Sequence, residues 1–259
     1  MNNLLKLAIK AIIANNFSAD VSGYWLTRLQ SILSNTSNPA GVREYVTGKL
    51  APKFNRYFRL DNLKKAHKGI EPFTLKELSG GAQSILQETI RKNVDKIVLS
   101  KESAELLTMN RFSSWILSGD DSQHLSKLEA HIKKPINNTD YENRRLLNDQ
   151  GHKMIAAVNE SIALDGGAIA MQWHQNYTHD PRVTHKRLNG KIYILKDSQP
   201  VRDGLLKSGD NPYLEDLGTM PALEVNCTCS GVYFYNLLAL YRQYPSAFTK
   251  KGLEVVSGV

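Results

Sequence analysis

Cysteine is almost missing from this chain: Cys227 and Cys229 are the only two among 259 residues. That excludes the multi-bridge framework of small secreted domains. A bridge between positions i and i+2 would close a ring far from relaxed disulfide geometry, so reduced thiols or metal ligands are expected. Long apolar runs are missing too. A spanning helix needs about 20 predominantly apolar residues, and no uncharged stretch approaches this, so no membrane partner is expected. Met1 to Phe17 is apolar, but Lys6 and Lys10 interrupt it and no small-residue cleavage site follows cleanly, which argues against a secretory signal. No repeat period and no low-complexity tract is visible.

Acidic residues fall short of basic ones, 25 against 33, for a net charge of +8. The shortfall lies in the first half: residues 1–140 hold 20 Lys/Arg against 13 Asp/Glu, and residues 141–259 hold 13 against 12. Such a field favours polyanions, either nucleic acid or the acidic surface of a partner protein. An apolar fraction of 41% with 22% charged residues is ordinary for a globular protein, so disorder is not the default.

Apolar spacing predicts helices through most of residues 1–138. Leu4, Leu5, Ala8, Ile9, Ile12 and Ile13 make a short amphipathic helix, best read as docked on its own protein. Ser18 caps a second helix, and a third starts at Pro39 and is expected to kink or end at Pro52. Residues 49–68 hold seven Lys/Arg and one Asp, with Phe54, Tyr57 and Phe58 between them. Cations interleaved with aromatics suit phosphate neutralisation and base stacking, and they equally suit aromatics facing a core under a cationic rim. Lys53, Arg56, Arg59, Lys64 and Lys65 are the candidate nucleic-acid or partner contacts.

Thr74 opens a capping box for a long helix whose start Gly80-Gly81 weakens, and Ser100 and then Asp120-Asp121 are expected to start further helices. Lys134-Pro-Ile-Asn-Asn-Thr139 reads as a boundary, with a second capping box at Thr139 opening a helix that ends near Gly166-Gly167. Beyond it the period changes. Residues 168–177 and 191–196 read as strands, 197–220 as a long loop, and 223–235 as a third strand bent at Gly231. A short helix at 237–244 and a polar tail follow. The fold class is α+β: a basic helical region over 1–138, then a small α+β domain with a short antiparallel sheet over 139–259.

Chemistry is concentrated in Trp173-His-Gln-Asn-Tyr-Thr-His-Asp180-Pro-Arg182-Val-Thr-His185-Lys-Arg-Leu188-Asn-Gly190-Lys191 and in Pro221-Ala-Leu-Glu-Val-Asn226-Cys227-Thr-Cys229. His185, Cys227 and Cys229 are a ligand set suited to zinc, with Asp180, His179 or His174 available as a fourth, although Cys-x-Cys is tighter than the usual Cys-x2-Cys knuckle. The more frequent origin of such residues is buried thiols beside a hydrogen-bonded structural histidine. Asp180, Arg182 and His185 also suit general-base chemistry: the Asp orients the His, and the Arg meets developing phosphate charge.

Trp173, the run Asp180-Pro-Arg182 with His185, Leu188 and Gly190, and then Pro221 before Asn226-Cys-Thr-Cys229 resemble the phage Mu F-like minor head protein family, also called phage head morphogenesis proteins. The resemblance spans roughly residues 140 to 232, with Thr228 where the family usually has Arg. It implies a minor capsid protein of a tailed phage. Such a protein acts near the portal in head assembly and DNA packaging, with portal or major capsid proteins and packaged DNA as partners. It is found in the virion and, during assembly, in the host cytoplasm. In that reading Trp173, Leu188, Gly190 and Asn226 are structural motif residues. The alternative is a metal-dependent or general-base nuclease or toxin-like hydrolase using His185, Asp180 and Arg182, since related domains occur fused to toxin modules.

Overall fold

The computed structural model describes residues 2–35, 38–176 and 182–258. It is α+β, with a mainly helical N-terminal region and a small mixed sheet. The chain divides into two compact units, one of Met1–Lys49 with Ile90–Leu147 and the other of Leu50–Thr89 with Asn148–Val259.

In the first unit, α1 (Asn2–Ala14) buries Leu5, Ala8, Ile9 and Ile12 against Leu29, Phe112, Trp115, Leu128 and Ile132. Its apolar stripe is therefore filled by its own protein, as its spacing predicts. Ser18 caps α2 (Ala19–Ser34) by accepting from Val21 N–H. Asn38 Oδ1 takes Ala40 N–H at the start of α3 (Pro39–Tyr57).

Local breakers are overridden repeatedly. Pro52 neither ends nor interrupts α3, because Val42, Val46, Leu50 and Phe54 keep one stripe buried along its whole length. The expected boundary at Lys134–Thr139 lies inside α7 (Leu125–Asp165), and so does the capping box at Thr139, whose hydroxyl instead donates to Pro135 O. Leu128 and Ile132 before Pro135, and Leu147, Met154, Val158 and Ile162 after it, are all buried, and that burial outweighs the lost backbone bond. Ser100 likewise lies inside α6 (Ala82–Ser118), carried past by buried Ile97 and Ala104. Gly80-Gly81, by contrast, does break the helical run. A 3-10 turn there separates α5 (Pro72–Leu78) from α6.

The second unit holds α4 (Leu60–Ala66), β1 (His67–Lys68), β2 (Ala170–His174), α8 (Val183–Leu188), β3 (Ile192–Ile194), α9 (Gln199–Arg202), β4 (Ser230–Phe234), α10 (Leu237–Tyr241) and α11 (Lys250–Ser257). Strand order is β1-β4-β2-β3; β1 runs parallel to β4, and the other pairs are antiparallel. The expected sheet was wholly antiparallel. β1 makes it mixed, and two residues inside a cationic segment carry no period that could reveal a strand.

Alternation along the strands splits two cores. Met171, Trp173, Tyr193 and Tyr233 pack on one face with Leu195, Leu214, Cys227 and Cys229. Ala170, Ile192, Ile194 and Phe234 pack on the other with Leu206, Leu240, Ala247 and Phe248. The stretch read as a polar tail supplies much of the second core: Phe248 bridges to Leu206, and Thr249 caps α11. Residues 223–229, read as strand, are turns and irregular backbone, with Ala222 and Asn226 in the left-handed region.

Candidate metal centre

β2 and β4 are paired so that Trp173 lies opposite Gly231. Past β2 the chain returns through α8, and Gly190, at φ 78°, lets the backbone turn into β3 while its N–H donates to Trp173 O at 2.8 Å. Leu188 packs against the Trp173 core. Together these place His185, in the middle of α8, beside Trp173 with ring centroids 5.5 Å apart.

The two cysteines arrive from the other side. Asn226 adopts a left-handed turn and its N–H donates to Asp149 Oδ1 at 2.6 Å. Asn176 Nδ2 donates to Thr228 O at 2.7 Å. The irregular lead into β4 turns both sulfurs toward His185. Each sulfur lies 3.5 Å from His185 Nδ1.

His185, Cys227 and Cys229, all buried and with ligand atoms within 4.8 Å of one another, form a group able to hold a metal ion. Tetrahedral zinc, with bonds of about 2.3 Å to sulfur and about 2.0 Å to nitrogen, holds the two donors about 3.5 Å apart. The spacing found is that spacing. Among the described residues the group has three members.

Electrostatics around the group suit a cation. Cys227 is pushed down to about 5, first by the hydrogen bond from the Cys229 thiol, with help from backbone N–H groups and His185. Cys229 is pushed upward by that same bond and by burial. The shared hydrogen bond thus favours ionisation of one thiol and disfavours that of the other. The buried Trp173 indole N–H lies beside Cys229 and favours its thiolate. A buried N–H beside a sulfur is the kind of group that steadies a metal-bound thiolate.

Glu224 completes the arrangement. Its Oε1 lies 3.2 Å from His185 Nε2, so the imidazole proton belongs on Nε2 and the Nδ1 lone pair faces the sulfurs. Arg182 pairs with the other oxygen of Glu224 and donates to Val225 O at 2.8 Å, which clamps the turn carrying the carboxylate. Both nitrogens of His185 are thus engaged, and its side chain is only 4% exposed, so it presents no free nitrogen to a substrate.

The structure brings together His185, Arg182, Cys227, Cys229, Trp173, Leu188, Gly190 and Asn226. Asp180 and His179 lie outside the described residues. Of the five candidate contact cations, Lys53, Arg56 and Lys65 line one cleft with His152 and His174, whereas Arg59 and Lys64 are exposed outside its lining. His174 therefore belongs to the cleft rather than to the metal group. Glu224 and Asp149 were not singled out from sequence. Glu224 sits within the quoted Cys motif, but a carboxylate three positions before Cys227 carries no signal of its partner until the chain folds.

Comparison with protein-family models, with curated proteins and with solved structures returns no match.

Proposed function

We propose that this chain is a minor capsid protein of a tailed phage, acting in head assembly and DNA packaging near the portal. We further propose that one zinc ion on His185, Cys227 and Cys229 closes its C-terminal domain. The observation that carries the reading is convergence. Trp173, Arg182, His185, Leu188, Gly190, Asn226, Cys227 and Cys229, the residues of the head-morphogenesis motif, gather around a single buried group.

Such a centre would knit the returning α8 to the lead into β4; three protein ligands are one short of a closed structural site, and it is the burial of all three that suits a fold-closing ion. When bound, zinc would draw both sulfurs into the thiolate form. His185 would hold Nδ1 toward the ion, Glu224 would keep the proton on Nε2, and Trp173 would cover the sulfurs from water. The partners this reading requires are portal or major capsid proteins, with packaged DNA beside them. It places the protein in the virion, and in the host cytoplasm during assembly.

The test is genetic. In the phage or prophage that encodes this chain, deleting its gene should give heads defective in assembly, packaging or infection, and the protein should be found in intact particles beside the portal. Heads that assemble, package and infect normally without it would sink the reading.

A further inference from the structure

Within the second unit a cleft of about 580 Å³ opens between α3, α4, α7 and the ends of β2 and β4. Lys53, Arg56 and Lys65 reach it from α3 and α4, and His152 and His174 from α7 and β2. Among the described residues, no aspartate or glutamate is in its lining. The nearby carboxylate of Asp149 is already engaged by Lys153 at 2.9 Å and by Asn226 N–H at 2.6 Å.

Lys53 is partly buried and held in place, whereas Arg56 and Lys65 are exposed. Lys53 donates to the neutral Asn148 Oδ1 at 2.9 Å, and its stem lies over Gly151, where even a methyl group would stand 3.1 Å from Lys53 Cδ. Asn62 donates to Arg56 O at 2.8 Å and ties the end of α3 to α4. Burial lowers the Lys53 pKa, a cost that a bound anion would offset. Ala66, Ile155 and Val232 add an apolar strip beside the charges.

We infer that this cleft binds a nucleotide, free or within a single strand, with its phosphate among Lys53, Arg56 and Lys65 and its ring on the Ala66–Ile155–Val232 strip. The volume lies within the range of about 300–1,000 Å³ typical of small-ligand pockets, which suits one nucleotide and excludes a duplex. Inorganic phosphate alone would leave the apolar strip without purpose. The inference does not depend on the head-assembly reading, and its failure would leave that reading intact.

The test is fluorescence polarisation of a labelled single-stranded octanucleotide with the full chain. Unlabelled adenosine monophosphate or the unlabelled strand should displace it, whereas equimolar inorganic phosphate should not. If the mononucleotide competes, the site takes free nucleotides; if only the strand competes, it takes a strand segment. Lys53→Gln with Lys65→Gln should weaken binding by about tenfold or more, and Arg59→Gln with Lys64→Gln, the same charge loss off the cleft, by less than about twofold. Arg56→Gln gives a second cleft variant should the first pair fold poorly. Equal losses from the two pairs, displacement by equimolar phosphate, duplex binding as tight as single strand, or no binding at all would each overturn it.

Discussion

His185 Nδ1 stands 3.5 Å from the sulfur of Cys229, a residue 44 positions later in the chain. Neither α8 nor the lead into β4 approaches this geometry alone; the pairing of β2 with β4 and the turn at Gly190 bring them together. The first prediction follows from that contact. Elemental analysis of the purified full chain should find one zinc per molecule, absent from Cys227→Ser and Cys229→Ser. Chelation should lower the melting temperature by at least about 5 °C, since each kcal/mol moves a domain of this size by about 2–4 °C. Metal-free protein with an unchanged melting point would remove the zinc proposal and leave a thiol-imidazole network.

Glu224 should matter to the metal without touching it. Glu224→Gln keeps shape and removes the charge that holds the His185 proton on Nε2, so metal affinity, read by competition with a chromogenic chelator, should fall about 10–100-fold. Equal affinity in the variant would mean that the 3.2 Å contact serves only to position the turn.

His67 provides a pH signature away from the metal group. It is buried, bonded to Tyr235 O–H at 2.6 Å and to Asn159 Oδ1 at 3.0 Å, and stacked on Tyr233. Burial pushes its pKa from 6.5 down to about 4. The unfolded chain therefore binds the proton first. Stability from the neutral imidazole is complete above pH about 6.5 and is lost as pH falls toward about 4, by about 3 kcal/mol in all. Denaturant titration of chelated protein should show this slope, and His67→Gln should flatten it. A slope unchanged by the substitution would assign the acid sensitivity elsewhere.

Gly252 should resist even alanine. Replacing a helix glycine with alanine ordinarily favours the helix by about 1 kcal/mol. Here the added Cβ would stand 2.1 Å from Leu205 O, which is backbone and cannot swing away. The clash should win, with Gly252→Ala destabilising the protein by about 2 kcal/mol or more in urea titration. A neutral or stabilising result would mean that α11 shifts freely on the second core.

Much of the helical region was legible from residue spacing, because burial of α1, of α2 with its Ser18 cap, and of the run from Leu146 to Ile162 follows the helical period directly. Element ends were less legible. Pro52, Pro135, Ser100 and Thr139 are local stop or start signals, and each is overruled by apolar stripes that continue past it. β1 and α11 were missed for a related reason: a two-residue strand has no period, and an eight-residue helix with charged residues reads as a tail.

For the candidate site, the residue types of His185, Cys227 and Cys229 were enough to name the candidate ligand set, since thiolates and imidazoles are preferred zinc ligands. Which carboxylate serves the histidine, and which cations share a cleft, could not be read the same way. Glu224 and Arg182 meet across 42 positions, and Lys53 meets Asn148 across 95. Sequence determined the chemistry available to this protein, because side-chain identity is local. Tertiary structure alone decided the partners, because strand pairing and helix packing set distances that no spacing along the chain encodes.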